Sequence, residues 1–177
     1  INLKIDTNQS TIYWKGSKIS EYHDGNVDLK WGYLIIDHGT LVGGEFVIDM
    51  STIQNTDIES ERKRNYLTEH LKNEDFFYVT KYPEAKLIIT NAKRKGSTST
   101  HTITADLTIK DTTHSIVFDS DVTIKDSRYT ANAKITIDRT KWDVVYNSGN
   151  FFKDLVADRV IKDEIEFEVQ LISQAVK

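Results

Sequence analysis

Apolar residues at every second position restrict the fold of this chain more than any other feature of its sequence. In the segment from 161 to 171 the apolar positions are Ile161, Ile165, Phe167, Val169 and Leu171. The positions between them carry lysine, glutamate or glutamine, and only Asp163 interrupts the apolar set. This alternation predicts a β-strand with one face buried and the other face in water.

The same alternation recurs along most of the chain and predicts about eight strands. Its apolar or small positions are Ile12, Trp14 and Gly16; Val27, Leu29, Trp31 and Tyr33; Gly44, Phe46, Ile48 and Met50; Ala85, Leu87 and Ile89; Ile103, Ala105, Leu107 and Ile109; Ile116 and Phe118; and Ala131, Ala133, Ile135 and Ile137. Polar faces argue against a parallel sheet, whose strands are buried on both sides. Hairpin-like spacing, with turns at 37–39 and 110–113, favours an antiparallel sandwich or barrel. Closure removes exposed strand edges, so we predict a closed barrel in an all-β fold with one or two short helices.

Two segments depart from the two-residue period. The pair Thr56 and Glu59 matches a capping box, and we predict a helix from Asp57 to Asn73. The segment from Trp142 to Asp158 is too long for a tight turn and contains four aromatic residues. Such a loop is expected to fold over another part of the molecule. Because no linker or repeat interrupts the chain, we expect residues 1–177 to form one domain.

Composition excludes several classes of function. The net charge is −4 and the 23 lysines and arginines are scattered, which argues against a nucleic-acid partner. No apolar run approaches the roughly 18 to 20 residues of a membrane-spanning helix. The chain has no cysteine, and its five histidines lack the spacing of a metal site. No catalytic motif is present, so we assign no catalytic residue, no metal and no cofactor.

The order of several short motifs resembles one protein family. His70-Leu71-Lys72, Asp75-Phe76-Phe77 and Tyr82-Pro83-Glu84-Ala85 stand in the order found in the YceI family, and further matches extend over almost the whole chain. The resemblance implies a lipocalin-like barrel that binds polyisoprenoid lipids. It also implies export to the periplasm or outside the cell. The chain begins without its initiator methionine, which fits either a removed signal peptide or a trimmed expression product.

A barrel of about eight strands is just wide enough to be filled by side chains or to hold one small ligand. Bulky rings and small residues are mixed on the predicted inner face, and the resemblance favours a ligand. Phe76 and Phe77, and the pair Phe151 and Phe152, are candidates either for lining or covering the pocket or for plugging the ends of the barrel. Our candidates for the lining are Trp14, Leu29, Trp31, Phe46, Ile48, Phe76, Phe77, Leu87, Ile89, Leu107, Phe118, Ile135, Phe167 and Val169.

The expected function is non-catalytic binding, transport or storage of a polyisoprenoid or similar amphiphile. Arg139, at the end of a predicted strand, is a candidate for contact with the lipid headgroup or for a salt bridge to the following loop. Two alternatives stay open: an enzyme acting on a hydrophobic substrate, and a packed barrel that serves as an interaction module. The enzyme would gain support if His70 or Asp163 lay beside the cavity. A homodimer also stays open.

Overall fold

Strands dominate the computed structural model, which describes residues 1–176 and includes one α-helix and two short 3₁₀ turns. The strands are β1 (Asn2–Lys4), β2 (Thr11–Lys18), β3 (Tyr22–Asp37), β4 (Thr40–Asn55), β5 (Glu84–Arg94), β6 (Thr100–Ile109), β7 (Thr112–Lys125), β8 (Arg128–Asp138) and β9 (Ile161–Ile172). The helix α1 is Glu61–Lys72, and the 3₁₀ turns are Arg139–Trp142 and Ala157–Arg159.

Eight of these strands form a closed antiparallel barrel. Each strand from β2 to β9 pairs with its successor, and β9 pairs with β2 to complete the ring. The short strand β1 pairs with the second half of β3, where β2 no longer reaches. The predicted fold class, an all-β closed barrel, is therefore confirmed.

Tight hairpins connect three pairs of neighbouring strands. In the turns at 38–39, 110–111 and 126–127, both central residues have positive φ. Two-residue turns of this kind match the right-handed twist of the flanking strands. Gly39 adopts this conformation without strain, whereas Lys110 and Asp111 are side-chain-bearing residues in the left-handed region. The turns predicted at 37–39 and 110–113 are confirmed.

A β-bulge in β3 makes one lumen prediction wrong. Leu29 pairs with Ile48 but Trp31 pairs with Val47, so β3 contains one extra residue at this point. An inserted residue shifts the alternation by one position, and side chains beyond it change face. Trp31 therefore points outward, is 39% exposed and stacks on Tyr33 with ring centroids 6.4 Å apart. Gly32 and Leu34 take the inward positions instead.

The helix begins four residues later than the sequence predicted. Ser60 is the N-cap, and its hydroxyl accepts a hydrogen bond from the backbone N–H of Lys63 at 3.3 Å. The capping box assigned to Thr56 and Glu59 is wrong because Asp57 folds back onto the start of β3, where it binds the backbone N–H of Asp24. The predicted end at Asn73 is confirmed as the C-cap.

The two ends of the barrel are built differently. One end is closed by the segments beside the two termini: Ile5 bridges to Ser173, and the N–H of Gln174 donates to the carbonyl of Lys4 at 2.8 Å. His101 is buried at the same end and its Nδ1 lies 3.0 Å from the carbonyl oxygen of Ser99. The other end is bordered by α1 and by the loop that precedes β9. This asymmetry leaves one end for access to the interior.

We predict that Gly25→Ala destabilises the barrel. Gly25 pairs with Trp14 on one side and Asn55 on the other, and a Cβ at Gly25 would lie 1.8 Å from the carbonyl oxygen of Gln54. Relieving that clash requires backbone movement, and we expect a loss of about 2 kcal/mol or more in the free energy of unfolding. Urea denaturation measures the loss.

Gly16→Ala is the matched control. No atom lies within 4 Å of a Cβ added at Gly16. The expected change is within about 0.5 kcal/mol of the wild-type value. Equal unfolding midpoints for the two variants would contradict the close approach of β3 and β4 at Gly25.

Candidate ligand cavity

The interior of the barrel contains a cavity of about 560 Å³. This volume falls within the range of roughly 300 to 1,000 Å³ that small-molecule sites occupy. Its walls are mainly aliphatic and aromatic side chains from every strand of the ring. The interior is therefore a hollow with an apolar surface, and the inward side chains of the strands do not fill it.

Thirteen of the fourteen predicted lining residues border this cavity, and Trp31 is the exception. They are Trp14, Leu29, Phe46, Ile48, Phe76, Phe77, Leu87, Ile89, Leu107, Phe118, Ile135, Phe167 and Val169. Their contact with a ligand stays a prediction. Phe76 and Phe77 are both buried, and they lie in the segment that follows α1, so they line the cavity and help to close it.

The lining also contains residues that the sequence analysis did not select. They include Ile12, Val27, Leu34, Leu41, Met50, Ile53, Ile103, Ile109, Ile116, Ile161, Ile165 and Leu171. Most were found by the same alternation but were not chosen as ligand candidates. Leu34 was missed because the bulge in β3 reverses its face. Space remains because Gly16, Ala85, Ala131 and Ala133 also face inward and leave gaps opposite the rings.

Four chain segments border the open end of the cavity. The connection between β2 and β3 contributes Lys18 and Glu21, and α1 contributes Lys63, Tyr66 and His70. The loop before β9 contributes Tyr146 and Asn147, and β9 itself contributes Ile161 and Lys162. Lys18 and Glu21 lie 3.9 Å apart. Among residues 1–176, lysine side chains border the cavity at this mouth and nowhere else.

An aromatic cluster stands at this mouth. His70 packs edge-on against Phe76 and against Tyr146, with ring centroids 4.9 Å apart in both cases. Phe76 and Tyr146 also contact each other at 5.3 Å. The Nε2 atom of His70 lies 2.9 Å from the carboxylate of Asp75, which fixes the orientation of the imidazole. The cluster joins α1, the segment after it and the loop before β9 into one rigid border.

Arg139 is an anchor for that loop. Its side chain is 2% exposed and donates hydrogen bonds to the carbonyls of Val144 at 2.8 Å and of Ile161 and Lys162 at 3.1 Å. Burial lowers the pKa of the guanidinium, while the charge of Asp163 opposes that shift. Arg139 therefore joins the barrel end to the loop through hydrogen bonds to backbone carbonyls. These uncharged acceptors stand where the sequence suggested a salt bridge. Arg139 also borders the cavity, and its contact with a headgroup stays a prediction.

Asp163 holds the same loop from the other side. Its two carboxylate oxygens accept hydrogen bonds from the Ser148 hydroxyl and from the Asn150 side-chain amide, both at 2.6 Å. This bonding explains the single polar residue on the apolar side of β9. Phe151 and Phe152 follow Asn150 in the chain and are 58% and 44% exposed. The expectation that this aromatic pair covers the cavity is therefore wrong.

A second polar cluster holds the connection between β4 and α1. The carboxylate of Asp57 lies 3.0 Å from Nδ1 of His23 and accepts hydrogen bonds from the Asp24 N–H and the Asn55 amide. Burial raises the pKa of Asp57, but the hydrogen bonds from His23, Asp24 and Asn55 outweigh that effect, and the net pKa lies below the ordinary value. Because His23 borders the cavity, this cluster fixes one side of the mouth.

The described part of the chain has neither a cluster of metal-binding side chains nor a membrane-spanning helix. Within residues 1–176, no group of three histidine, aspartate or glutamate side chains is arranged to hold a metal ion. No helix in the same part of the chain has the length and apolar character needed to span a membrane.

Comparison with known proteins identifies relatives of this barrel. The model of a family described as the YceI-like domain matches residues 3–172. None of the curated protein sequences compared with the chain matches it. BcnA of Burkholderia cenocepacia has a TM-score of 0.78 at 16% identity, over 96% of this chain and 99% of its own.

Two further solved structures share the fold. A polyisoprenoid binding domain from Saccharophagus degradans, implicated in plant cell wall breakdown, has a TM-score of 0.72 at 16% identity and covers 98% of each chain. The YCEI protein of Campylobacter jejuni has a TM-score of 0.61 at 16% identity and covers 85% of each chain. At these identities the likeness establishes the fold.

We predict that Asp57 makes the barrel's stability depend on pH in the acid range. Because the folded pKa lies below the unfolded value of about 3.9, the stabilisation is complete above that value and disappears as the pH falls through the folded pKa. The stability difference between wild type and Asp57→Asn should therefore be constant at neutral pH and shrink below about pH 4. Urea denaturation at several pH values measures this difference in the free energy of unfolding. Asp154→Asn, which also removes one exposed carboxylate, is the control. A difference that grows on acidification would contradict this assignment.

Proposed function

We propose that this chain, which belongs to the YceI-like domain family, binds a polyisoprenoid or similar long-chain lipid inside its barrel and carries or stores it unchanged. Family membership confirms the resemblance stated from the sequence. The observation that carries the proposal is the apolar cavity, which is open beside α1 and lysine-bordered only there. The Saccharophagus degradans relative, described as a polyisoprenoid binding domain, supports the same ligand class.

Burial of a prenyl chain is energetically sufficient for binding. Each buried methylene contributes roughly 0.8 kcal/mol, so one isoprene unit contributes about 4 kcal/mol. The loss of translational and rotational freedom costs about 4 to 15 kcal/mol. A few isoprene units within the cavity therefore offset that cost without any polar contact. The length of chain that enters the cavity would be the main determinant of affinity.

The lysines at the mouth favour an anionic headgroup. Lys18, Lys63 and Lys162 border the open end, while the deeper wall is apolar. Among residues 1–176, Lys63 and Lys162 form no ion pair, and Lys18 is near only Glu21. A phosphate group at the mouth would meet these ammonium groups while its chain extends inward. Arg139 is less suited to this contact because three of its donors already bind carbonyls.

One observation favours the alternative of an enzyme: His70 borders the cavity and is held by Asp75. A histidine oriented by a carboxylate can act as a general base. In the described residues, however, neither ring nitrogen of His70 is hydrogen-bonded to a hydroxyl that could serve as a nucleophile. The ring instead packs between Phe76 and Tyr146. Recovery of the added lipid unchanged after long incubation distinguishes a carrier from an enzyme.

Two expectations remain attached to this proposal. An exported location, periplasmic or secreted, rests on the family to which the chain belongs. A homodimer stays a prediction, since the cavity is enclosed by one copy of the chain.

We predict that Ala133→Trp prevents lipid uptake. Ala133 faces the cavity from β8, and an indole there would occupy the space proposed for the prenyl chain. Titration of delipidated protein with geranylgeraniol should show at least about a ten-fold loss of affinity, since the displaced chain loses more than 1.4 kcal/mol of burial. Ala133→Leu should give a smaller loss. Thr136→Trp, on the exposed face of the same strand, is the control. Uptake by Ala133→Trp equal to wild type would contradict ligand binding in the lumen.

We predict that the lysines discriminate between headgroups. The double variant Lys63→Gln, Lys162→Gln should bind geranylgeranyl phosphate roughly two- to thirty-fold more weakly, because exposed ion pairs contribute about 0.2 to 1 kcal/mol each. Its affinity for geranylgeraniol should stay unchanged. Lys125→Gln, near the closed end, is the control. Equal losses for the alcohol and the phosphate would show that these lysines do not recognise charge.

A further inference from the structure

Large apolar side chains are exposed around the mouth of the cavity. We define the portal rim as Ile19, Tyr22, Tyr66, Phe151, Phe152 and Val156. Ile19 lies in the β2–β3 connection, and Tyr22 is the first residue of β3, with the Lys15 ammonium 4.3 Å from the centre of its ring. Tyr66 itself borders the cavity although it is 75% exposed. The other three belong to the loop that contributes Tyr146 and Asn147 to the same mouth. Three separate segments therefore present apolar groups to water at one place.

The loop that contains Phe151 and Phe152 is held in place by its own hydrogen bonds. Backbone N–H groups of both residues donate to the carbonyl of Ser148, which is fully buried. Ser148 and Asn150 are bonded to Asp163, and the N–H of Ile161 donates to the carbonyl of Asn147 at 2.9 Å. The base of the loop is thus fixed to β9, while Phe151, Phe152 and Val156 farther along it are exposed. Apolar groups held in water in this way mark an interaction surface.

We propose that the portal rim docks the barrel on the surface of a lipid bilayer, so that the cavity mouth faces the membrane. Aromatic and aliphatic side chains on protruding loops insert at the boundary between headgroups and acyl chains. The exposed basic residues Arg62, Lys63, Lys153, Arg159 and Lys162 lie among or beside them on the same segments. They suit an anionic membrane surface.

Continuity between the rim and the mouth favours a bilayer over a protein partner. The proposal rests on the proposed function, because a long prenyl chain resides in membranes and has to leave one to enter the cavity. A rim inserted around the mouth would let the chain pass between two apolar environments without crossing water. Asp154 and Asp158 lie on the same loop, so the local net charge is small. The apolar side chains should therefore supply most of the binding, and added salt should weaken it only modestly.

Vesicle sedimentation of the full chain tests this proposal. Delipidated protein is mixed with phosphatidylcholine vesicles, with and without phosphatidylglycerol, and the bound fraction is measured. We expect binding to both, stronger with phosphatidylglycerol, and about a ten-fold or larger fall in the partition coefficient for Phe151→Ser, Phe152→Ser. The control Val117→Ser, Ile124→Ser removes two equally exposed apolar side chains from β7 and should bind like wild type. In Phe152→Trp, a blue shift of the indole emission on adding vesicles should report insertion.

Cargo uptake from cyclodextrin, measured without membranes, separates this proposal from the proposed function. Normal uptake by Phe151→Ser, Phe152→Ser together with lost vesicle binding supports docking by the rim. If the wild-type protein takes up cargo normally but does not bind vesicles, membrane docking is overturned and the proposed function is not. The rim would then be assigned to a protein partner. Membrane docking is also overturned if Phe151→Ser, Phe152→Ser and the control Val117→Ser, Ile124→Ser lose vesicle binding equally. Vesicle binding that depends on Phe151 and Phe152 without any cargo uptake supports docking and overturns the lipid-carrier function.

Discussion

Closure of the sheet is the constraint on which the rest of this structure depends. The pairing of β3 with β4, and of β9 with β2, leaves no free edge in the ring and turns every apolar strand face towards one interior. Once eight such faces surround the same space, their side chains must either fill it or leave a hollow. Gly16, Ala85, Ala131 and Ala133 line this space with little or no side chain, which favours the hollow that the structure shows.

Polar interactions are concentrated where the hollow opens. Arg139 and Asp163 fix the loop before β9, and Asp57 with His23 fixes the connection into α1. Each set joins segments that are far apart in the sequence. The deep interior contains almost no polar lining, so chemical selectivity has to arise at the mouth. The proposed function therefore predicts that ligands are distinguished by chain shape inside the barrel and by headgroup charge at the mouth.

Much of the fold follows from alternation alone, and the errors have local causes. The strand containing Phe167 and Val169 was predicted correctly because its polar and apolar positions alternate without interruption around them. Trp31 was placed wrongly because the alternation of Val27, Leu29, Trp31 and Tyr33 continues unbroken across the bulge, and the neighbouring Gly32 was its one local signal. Thr56 and Glu59 match a capping box, yet Asp57 is drawn to His23 by a tertiary contact that local pattern cannot include. Likewise, the aromatic composition of the loop before β9 does not reveal that Phe151 and Phe152 are exposed.

Native mass spectrometry of the protein purified from its own organism tests the central claim most directly. A lipid held in the barrel predicts a mass above that of the polypeptide, and a solvent extract containing a prenyl lipid in about equimolar amount. The added mass should disappear when Ala133→Trp is expressed in the same cells. A protein recovered at the polypeptide mass alone, which also takes up no added prenol or prenyl phosphate, would contradict the claim that this hollow holds a lipid.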